Sequence, residues 1–201
     1  MAMLLIPNRD LHQEAVRMLA EMQQAVNAAP NYALQVSAAK AAWDGKASTK
    51  RKATAFRIVR ETLGQMCVGP IRCAYCEDSM ADEVEHIHPK NLFPDRVFLW
   101  SNYAFACGPC NGPKRNRYGF VENSSVTEFV RRRQDPIIPP PNGQAGLIDP
   151  RHEDPLAFLE LDLGGETPDG QILREHLSYC HVKSQIPLNI RAPHLRLSYW
   201  A

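Results

Sequence analysis

Two cysteine pairs, separated by 30 residues, constrain the fold of this chain more than any other feature. The pairs are Cys73-x-x-Cys76 and Cys107-x-x-Cys110. A CxxC motif places two thiolates on one metal ion, and two such motifs supply the four ligands of a tetrahedral zinc site. A disulfide framework would need an oxidising compartment, which nothing else in the sequence indicates. We therefore expect a closed, structural zinc site formed by these four thiolates.

The composition is that of a folded protein of one domain or one domain with a helical appendage. The chain has 201 residues, of which 44% are hydrophobic and 22% are charged. These fractions exclude a disordered or fibrous chain. No apolar run approaches the roughly 18 residues of a membrane span, so we expect a cytoplasmic protein with no membrane partner. The two cysteines outside the pairs, Cys67 and Cys180, are expected to be ordinary thiols.

The first region, residues 1–65, is predicted to be helical. Apolar residues recur at helical spacing over about 8–28, with Asn8 as a candidate N-cap, and two shorter helices are predicted over 34–43 and 49–63. The region has no chemistry of its own. We expect it to contact a partner protein, although amphipathic helices can also simply complete a core.

The second region, residues 66–135, holds the cysteine pairs. Short strands are predicted over 84–88 and 98–105, followed by a helix near 110–117. Ser125-x-x-Glu128 has the pattern of a capping box, which predicts a further helix over about 125–134.

The third region, residues 136–201, begins with a proline-rich connector and continues as a small α/β extension. A strand or hairpin is predicted over about 156–163. A helical region, a core with short strands and this small extension together make the expected fold class α+β.

The motif between the cysteine pairs resembles the HNH endonucleases, the ββα-metal family. Glu85-His86 ends the first predicted strand, Asn102 lies in the connecting stretch, and Asn111 follows the second cysteine pair, three residues before Lys114. In that family, residues of these types follow one another in this order. The resemblance covers roughly residues 71–118 and implies a ββα-metal core for the second region.

The resemblance implies hydrolysis of phosphodiester bonds. His86 would be the general base, Glu85 and Asn111 would bind one catalytic Mg²⁺ or Mn²⁺, and Asn102 would brace the loop that orients His86. His88 is a further candidate for contact with metal or phosphate. Each residue also has a plain structural explanation: either histidine can be a packed side chain, Asn111 can cap the helix, and Asn102 can occupy a turn.

Basic residues gather beside this motif although the net charge of the chain is only +1. Residues 111–133 hold six basic and two acidic side chains. The basic ones are Lys114, Arg115, Arg117, Arg131, Arg132 and Arg133. Such a cluster can be a solvated face, but next to a phosphate-cleaving site it favours contacts with a nucleic-acid backbone, most simply that of DNA.

The segment after the core has the pattern Leu147-Ile-Asp149-Pro150-Arg-His-Glu-Asp154-Pro155, followed by Phe158-Leu-Glu-Leu-Asp162 and Asp169-Gly170. It is similar to the corresponding segment of the nuclease subunits of Septu antiphage defence systems. That resemblance implies an SMC-like ATPase as partner, and the chain itself has no GxxxxGK[ST] loop for ATP. Two alternatives stay open. One is a zinc-dependent adaptor that binds nucleic acid or protein without cutting, and the other is a homing or restriction-type nuclease, although no helix-turn-helix signature is present.

Overall fold

In the part of the chain that the structure describes, four α-helices and two small antiparallel sheets form an α+β arrangement. A computed structural model describes residues 5–67, 69–77, 79–122, 125–129 and 131–154. The strand or hairpin predicted over 156–163 and Cys180 lie outside these residues. The helices are α1 (Gln13–Asn27), α2 (Tyr32–Asp44), α3 (Lys50–Met66) and α4 (Gly108–Lys114). The strands are β1 (Glu83–His86), β2 (Tyr103–Ala106), β3 (Tyr118–Glu122) and β4 (Ser125–Phe129).

The three helices predicted before the first cysteine pair are present, and side chains cap their N-termini. Asn31 Oδ1 accepts a hydrogen bond from the Leu34 amide at the start of α2, and Thr49 plays the same part in α3. The predicted cap of α1 is wrong: His12 caps this helix, and Asn8 Oδ1 accepts a hydrogen bond from Arg151 instead. None of the described helices is long and apolar enough to cross a membrane.

These helices share one hydrophobic core with the first sheet. Leu19 of α1, Trp43 of α2 and Val59 of α3 belong to the same buried cluster as Phe98 and Tyr103. The apolar stripe of each helix therefore packs on the segment that holds the cysteine pairs. The helical region contributes to the packing around the candidate site.

The first sheet pairs β1 with β2, with His86 opposite Tyr103 and Glu83 opposite Ala106. Both strands are shorter than predicted. The second predicted strand begins as a 3₁₀ helix, Trp100–Asn102, and becomes extended only at Tyr103. Helix α4 follows β2 directly, since Cys107 is its N-cap residue.

The helix predicted over 125–134 is wrong. Residues Ser125–Phe129 form β4, which pairs with β3 in a second antiparallel sheet, and Tyr118 lies opposite Phe129. The β-branched residues Val121 and Thr127 suit these strands. The capping-box pattern was misleading because strand pairing outweighs a local helix signal. After the proline-rich connector the chain runs beside β3 again. There the Gly146 amide donates a hydrogen bond to the Gly119 carbonyl at 2.7 Å.

Candidate functional site

The four cysteines of the two CxxC pairs come together in the folded chain. Their Sγ atoms all lie within 4.8 Å of one another and are buried, and Cys76 Sγ is 3.8 Å from Cys107 Sγ. Four thiolates about 2.3 Å from a zinc ion would be separated by about 3.8 Å along each edge of the tetrahedron. None of the described cysteines forms a disulfide. The cluster can hold a zinc ion.

The thiols of this cluster differ in their pKa values. A hydrogen bond from Cys110 lowers the pKa of Cys73 to about 5, and the same pairing raises the pKa of Cys110. The Tyr75 amide also donates to Cys73 Sγ at 3.4 Å. Burial raises the pKa of Cys107 to about 11, so Cys73 is the thiol that most readily gives the thiolate, the form that binds metal.

Glu85 is buried against α4 and pairs with a lysine. Lys114 Nζ forms an ion pair with Glu85 Oε1 and also donates to the His86 carbonyl at 2.8 Å. Burial raises the pKa of Glu85, with Lys114 opposing the shift. Lys114 therefore lies in the interior, away from the basic surface predicted for it, and α4 is fastened to the end of β1.

His86 lies in an aromatic enclosure beneath the helices. Its ring centroid is 4.2 Å from that of Trp43 and 5.3 Å from that of Tyr103. His86 Nε2 is 3.0 Å from the Val97 carbonyl, which also accepts a hydrogen bond from the Tyr103 hydroxyl at 2.8 Å. A carbonyl can only accept, so Nε2 carries the proton and Nδ1 carries the lone pair. Burial, with the nearby charge of Lys90, lowers the pKa of His86 to about 3.

Asn102 braces the loop between the two strands of the first sheet. Its Oδ1 accepts a hydrogen bond from the His88 amide at 2.7 Å, and its Nδ2 donates to the carbonyls of His88 and Arg96 at 3.1 and 2.9 Å. Asn102 is buried. The amide therefore fixes the backbone two residues after His86, which is more than a turn residue would do.

The imidazole of His88 has different neighbours from that of His86. It packs edge-on against Phe93, with 5.0 Å between ring centroids, and its Nε2 is 3.4 Å from Arg96 Nη1. Burial and the Arg96 charge lower its pKa to about 4. His88 is thus a largely packed side chain.

Asn111 contacts a carboxylate that the sequence motif did not single out. Its Nδ2 donates to Glu83 Oε2 at 2.6 Å, and both side chains reach the surface. Glu83 and Glu85 share a face of β1 because side chains alternate along a strand. This alternation is the sequence signal that could have identified Glu83 as a candidate site residue. An exposed carboxylate–amide pair therefore lies beside the buried pair of Glu85 and Lys114.

The predicted phosphate-binding arginines differ in how freely they reach solvent. Arg117 pairs with Glu128 at 2.8 Å, and Arg131 donates to the Asn91 carbonyl at 2.7 Å. Arg115, Arg132 and Arg133 are exposed. Among these predicted arginines, as far as the structure describes them, only Arg115, Arg132 and Arg133 are both exposed and without an ion pair.

Comparisons with known proteins give one local similarity. Over 48 residues the chain is 42% identical to the Septu protein PtuB of Bacillus thuringiensis, a match that covers 21% of this chain and 19% of that protein. The chain thus matches about a fifth of the length of this relative. No family model matches the chain, and no solved structure does.

Proposed function

We propose that this chain is a metal-dependent endonuclease of the HNH type, acting on DNA as the nuclease subunit of an antiphage defence complex. The observation that carries the proposal is the placement of His86 at the end of β1, with Nε2 on the Val97 carbonyl and Nδ1 left as a base. The order β1, β2, α4 fits a ββα core. The local similarity to a Septu protein supports the defence role.

In the proposed reaction His86 Nδ1 takes a proton from water, whose oxygen then bonds to the phosphorus of a phosphodiester. The bond from phosphorus to the 3′ oxygen breaks, and that oxygen takes a proton from solvent. The imidazole is neutral at pH 7, so Nδ1 holds the lone pair that accepts this proton, although a pKa of about 3 makes it a weaker base than an ordinary histidine. The reaction needs one water at Nδ1 and no wider exposure of the ring.

A divalent cation, Mg²⁺ or Mn²⁺, would neutralise charge on the phosphate and on the leaving oxygen. Glu83 and Asn111 offer exposed oxygen donors of the kind these ions prefer. Glu85, the ligand expected from the sequence, is occupied by Lys114. We therefore propose Glu83 and Asn111 to hold the cation, which Glu85 would join only on release of Lys114.

Separate residues would stabilise the site and bind the substrate. The zinc held by the four cysteines would join the segment before β1, which contains Cys73 and Cys76, to the start of α4, where Cys107 is the N-cap residue. Arg115, Arg132 and Arg133 would contact backbone phosphates. The SMC-like ATPase partner expected from the sequence would supply ATP hydrolysis and control of cleavage.

Nicking of supercoiled plasmid tests this function. We expect the purified chain, alone or with the product of a neighbouring gene, to cut in Mg²⁺ or Mn²⁺ and not in Ca²⁺-only buffer. Asn111→Ala and Glu83→Gln should need more Mg²⁺ for half-maximal cutting. A wild-type protein that binds DNA and never cuts it would refute the proposal.

One observation favours the alternative of an adaptor that does not cut. Both Glu85 and His86 are buried, with 4% and 5% of their surface exposed, and Glu85 is already paired. A zinc-stabilised adaptor would be compatible with this arrangement, because it needs neither a free carboxylate nor an accessible imidazole. Binding of DNA or the ATPase without cleavage under every metal condition would identify it.

A further inference from the structure

Two lysines lie close to Trp43, the tryptophan that packs against His86. Lys46 Nζ lies 4.7 Å from the centroid of the Trp43 ring, and Lys90 Nζ lies 6.0 Å from the same centroid. Lys46 follows α2, whereas Lys90 follows β1. Segments that are far apart in sequence thus bring two ammonium groups to one indole, immediately beside the proposed base.

These two positive charges lack a paired carboxylate. Lys114 is neutralised by Glu85, but among the described residues neither Lys46 nor Lys90 forms a salt bridge. Lys90 is half-buried, and burial lowers its pKa, with Lys46 and Lys114 adding to the shift while Glu85 and Asp44 oppose it. Positive charges that lie close together and partly shielded from water are unfavourable unless an anion binds beside them.

The indole keeps the two ammonium groups in place. A cation over the face of a tryptophan ring is attracted by the ring's quadrupole, and the interaction strengthens where water is excluded. Trp43 is itself buried and packs edge-on against Phe56, with 5.4 Å between centroids. The lysines are therefore held by a rigid support before any ligand arrives.

We propose that Lys46 and Lys90 bind a backbone phosphate of the nucleic acid next to His86, so that the end of α2 forms part of the substrate site. The inference rests on the proposed function, because it names further residues that hold the same substrate. A phosphate is the anion such an arrangement suits, since lysine binds phosphate as a point charge. The helical region then takes part in substrate binding in addition to any contact with a partner.

The salt dependence of DNA binding tests this assignment. We would measure the affinity for a short fluorescent DNA duplex by anisotropy over a range of NaCl concentrations, in Ca²⁺ to prevent cutting. Lys46→Gln and Lys90→Gln should each weaken binding roughly threefold to tenfold. Each should also reduce the slope of log K against log salt, by at most the value of about 0.9 that belongs to one phosphate contact. Lys40→Gln, which removes an exposed lysine of α2, is the control and should change neither value.

The outcomes separate this inference from the proposed function. If the wild type cuts DNA and both lysine variants keep its affinity and salt slope, the inference is wrong and the function stands. If the slopes fall as expected but the wild type never cuts, the phosphate site stands and the nuclease proposal fails. If excess ATP displaces DNA from the wild type but not from either lysine variant, the lysines bind a free nucleotide and the inference is wrong. A wild type that binds no DNA would also overturn it.

Discussion

One hydrogen bond of the His86 ring decides which of its nitrogens can act as a base. Because Nε2 donates to Val97, we expect the neutral Nε2–H tautomer at pH 7. With a pKa of about 3, the ring should not titrate between pH 5 and pH 8. Long-range ¹H–¹⁵N NMR correlations report both properties. A protonated Nδ1 in the neutral ring would remove the basis for the proposed role. A titration midpoint near the ordinary 6.5 would instead contradict the buried environment described for the ring.

Cys107 and Cys67 offer a matched pair for testing the zinc site. Cys107 belongs to the four-thiol cluster, whereas Cys67 Sγ contacts the carbonyls of Leu63 and Arg72 at 3.6 and 3.5 Å. Cys107→Ser should lose zinc and lower the free energy of unfolding, because part of that energy comes from metal binding. Cys67→Ser should keep one zinc per chain by elemental analysis. Equal zinc content in both variants would contradict the assignment.

At the scale of elements, a buried glutamine joins α1 to the loop before β2. Gln23 Oε1 accepts from the Phe98 amide at 2.8 Å, and its Nε2 donates to the Pro94 carbonyl at 2.9 Å. Gln23→Leu would leave both backbone groups unpaired and should lower the free energy of unfolding by about 2–4 kcal/mol. The neighbouring, exposed Gln24→Leu should change it by about 0.5 kcal/mol or less. Urea denaturation measures both, and equal effects would mean that the hydrogen bonds of Gln23 are not the cause.

The helices could be predicted from sequence because their signal is local. The recurring apolar residues of α1, α2 and α3 identify each helix without reference to the rest of the chain. The hairpin of β3 and β4 could not be predicted in this way, because its stability comes from cross-strand partners such as Tyr118 and Phe129. Local capping rules therefore gave the wrong element there.

The candidate site was predictable only in part, for the same reason. The spacing of the cysteine motifs anticipated a cluster that the fold does assemble. The contacts of Trp43 with His86, of Lys114 with Glu85 and of Asn111 with Glu83 join residues that are 28 or more positions apart. Nothing in the spacing along the chain specifies such pairs.

For the whole molecule, a buried arginine joins three separate segments. Arg151 donates to the carbonyls of Trp100 and Tyr103 and, at 2.6 Å, to Asn8 Oδ1, and its guanidinium carbon lies 4.5 Å from the centroid of the Trp100 ring. The N-terminal segment, the loop that contains Asn102 and the segment after the proline-rich connector are thereby connected. Burial lowers the pKa of Arg151, with Asp149 opposing.

Arg151→Met should lower the free energy of unfolding by about 2–4 kcal/mol, because it leaves buried acceptors without donors. Hydrogen exchange at residues 100–103 should accelerate together with exchange near residue 8. Arg132→Met, at an exposed position, is the control and should change neither the stability nor the exchange.

Point variants suit this question better than truncation, because deleting α1 and α2 would remove Leu19 and Trp43 from the shared core. Faster exchange at only one of the two segments would contradict the connection.

The most direct test of the account is cleavage by His86→Ala, measured with the protein in excess over a labelled DNA and beside a binding assay. We predict a loss of roughly 10²–10⁴-fold in cleavage rate, since a general base contributes about that much. DNA affinity should persist, because it comes from lysine and arginine contacts to phosphate. His88→Ala should keep most of the rate. If His86→Ala cuts as fast as the wild type, while zinc content and binding are normal, the assignment of His86 as the base is wrong.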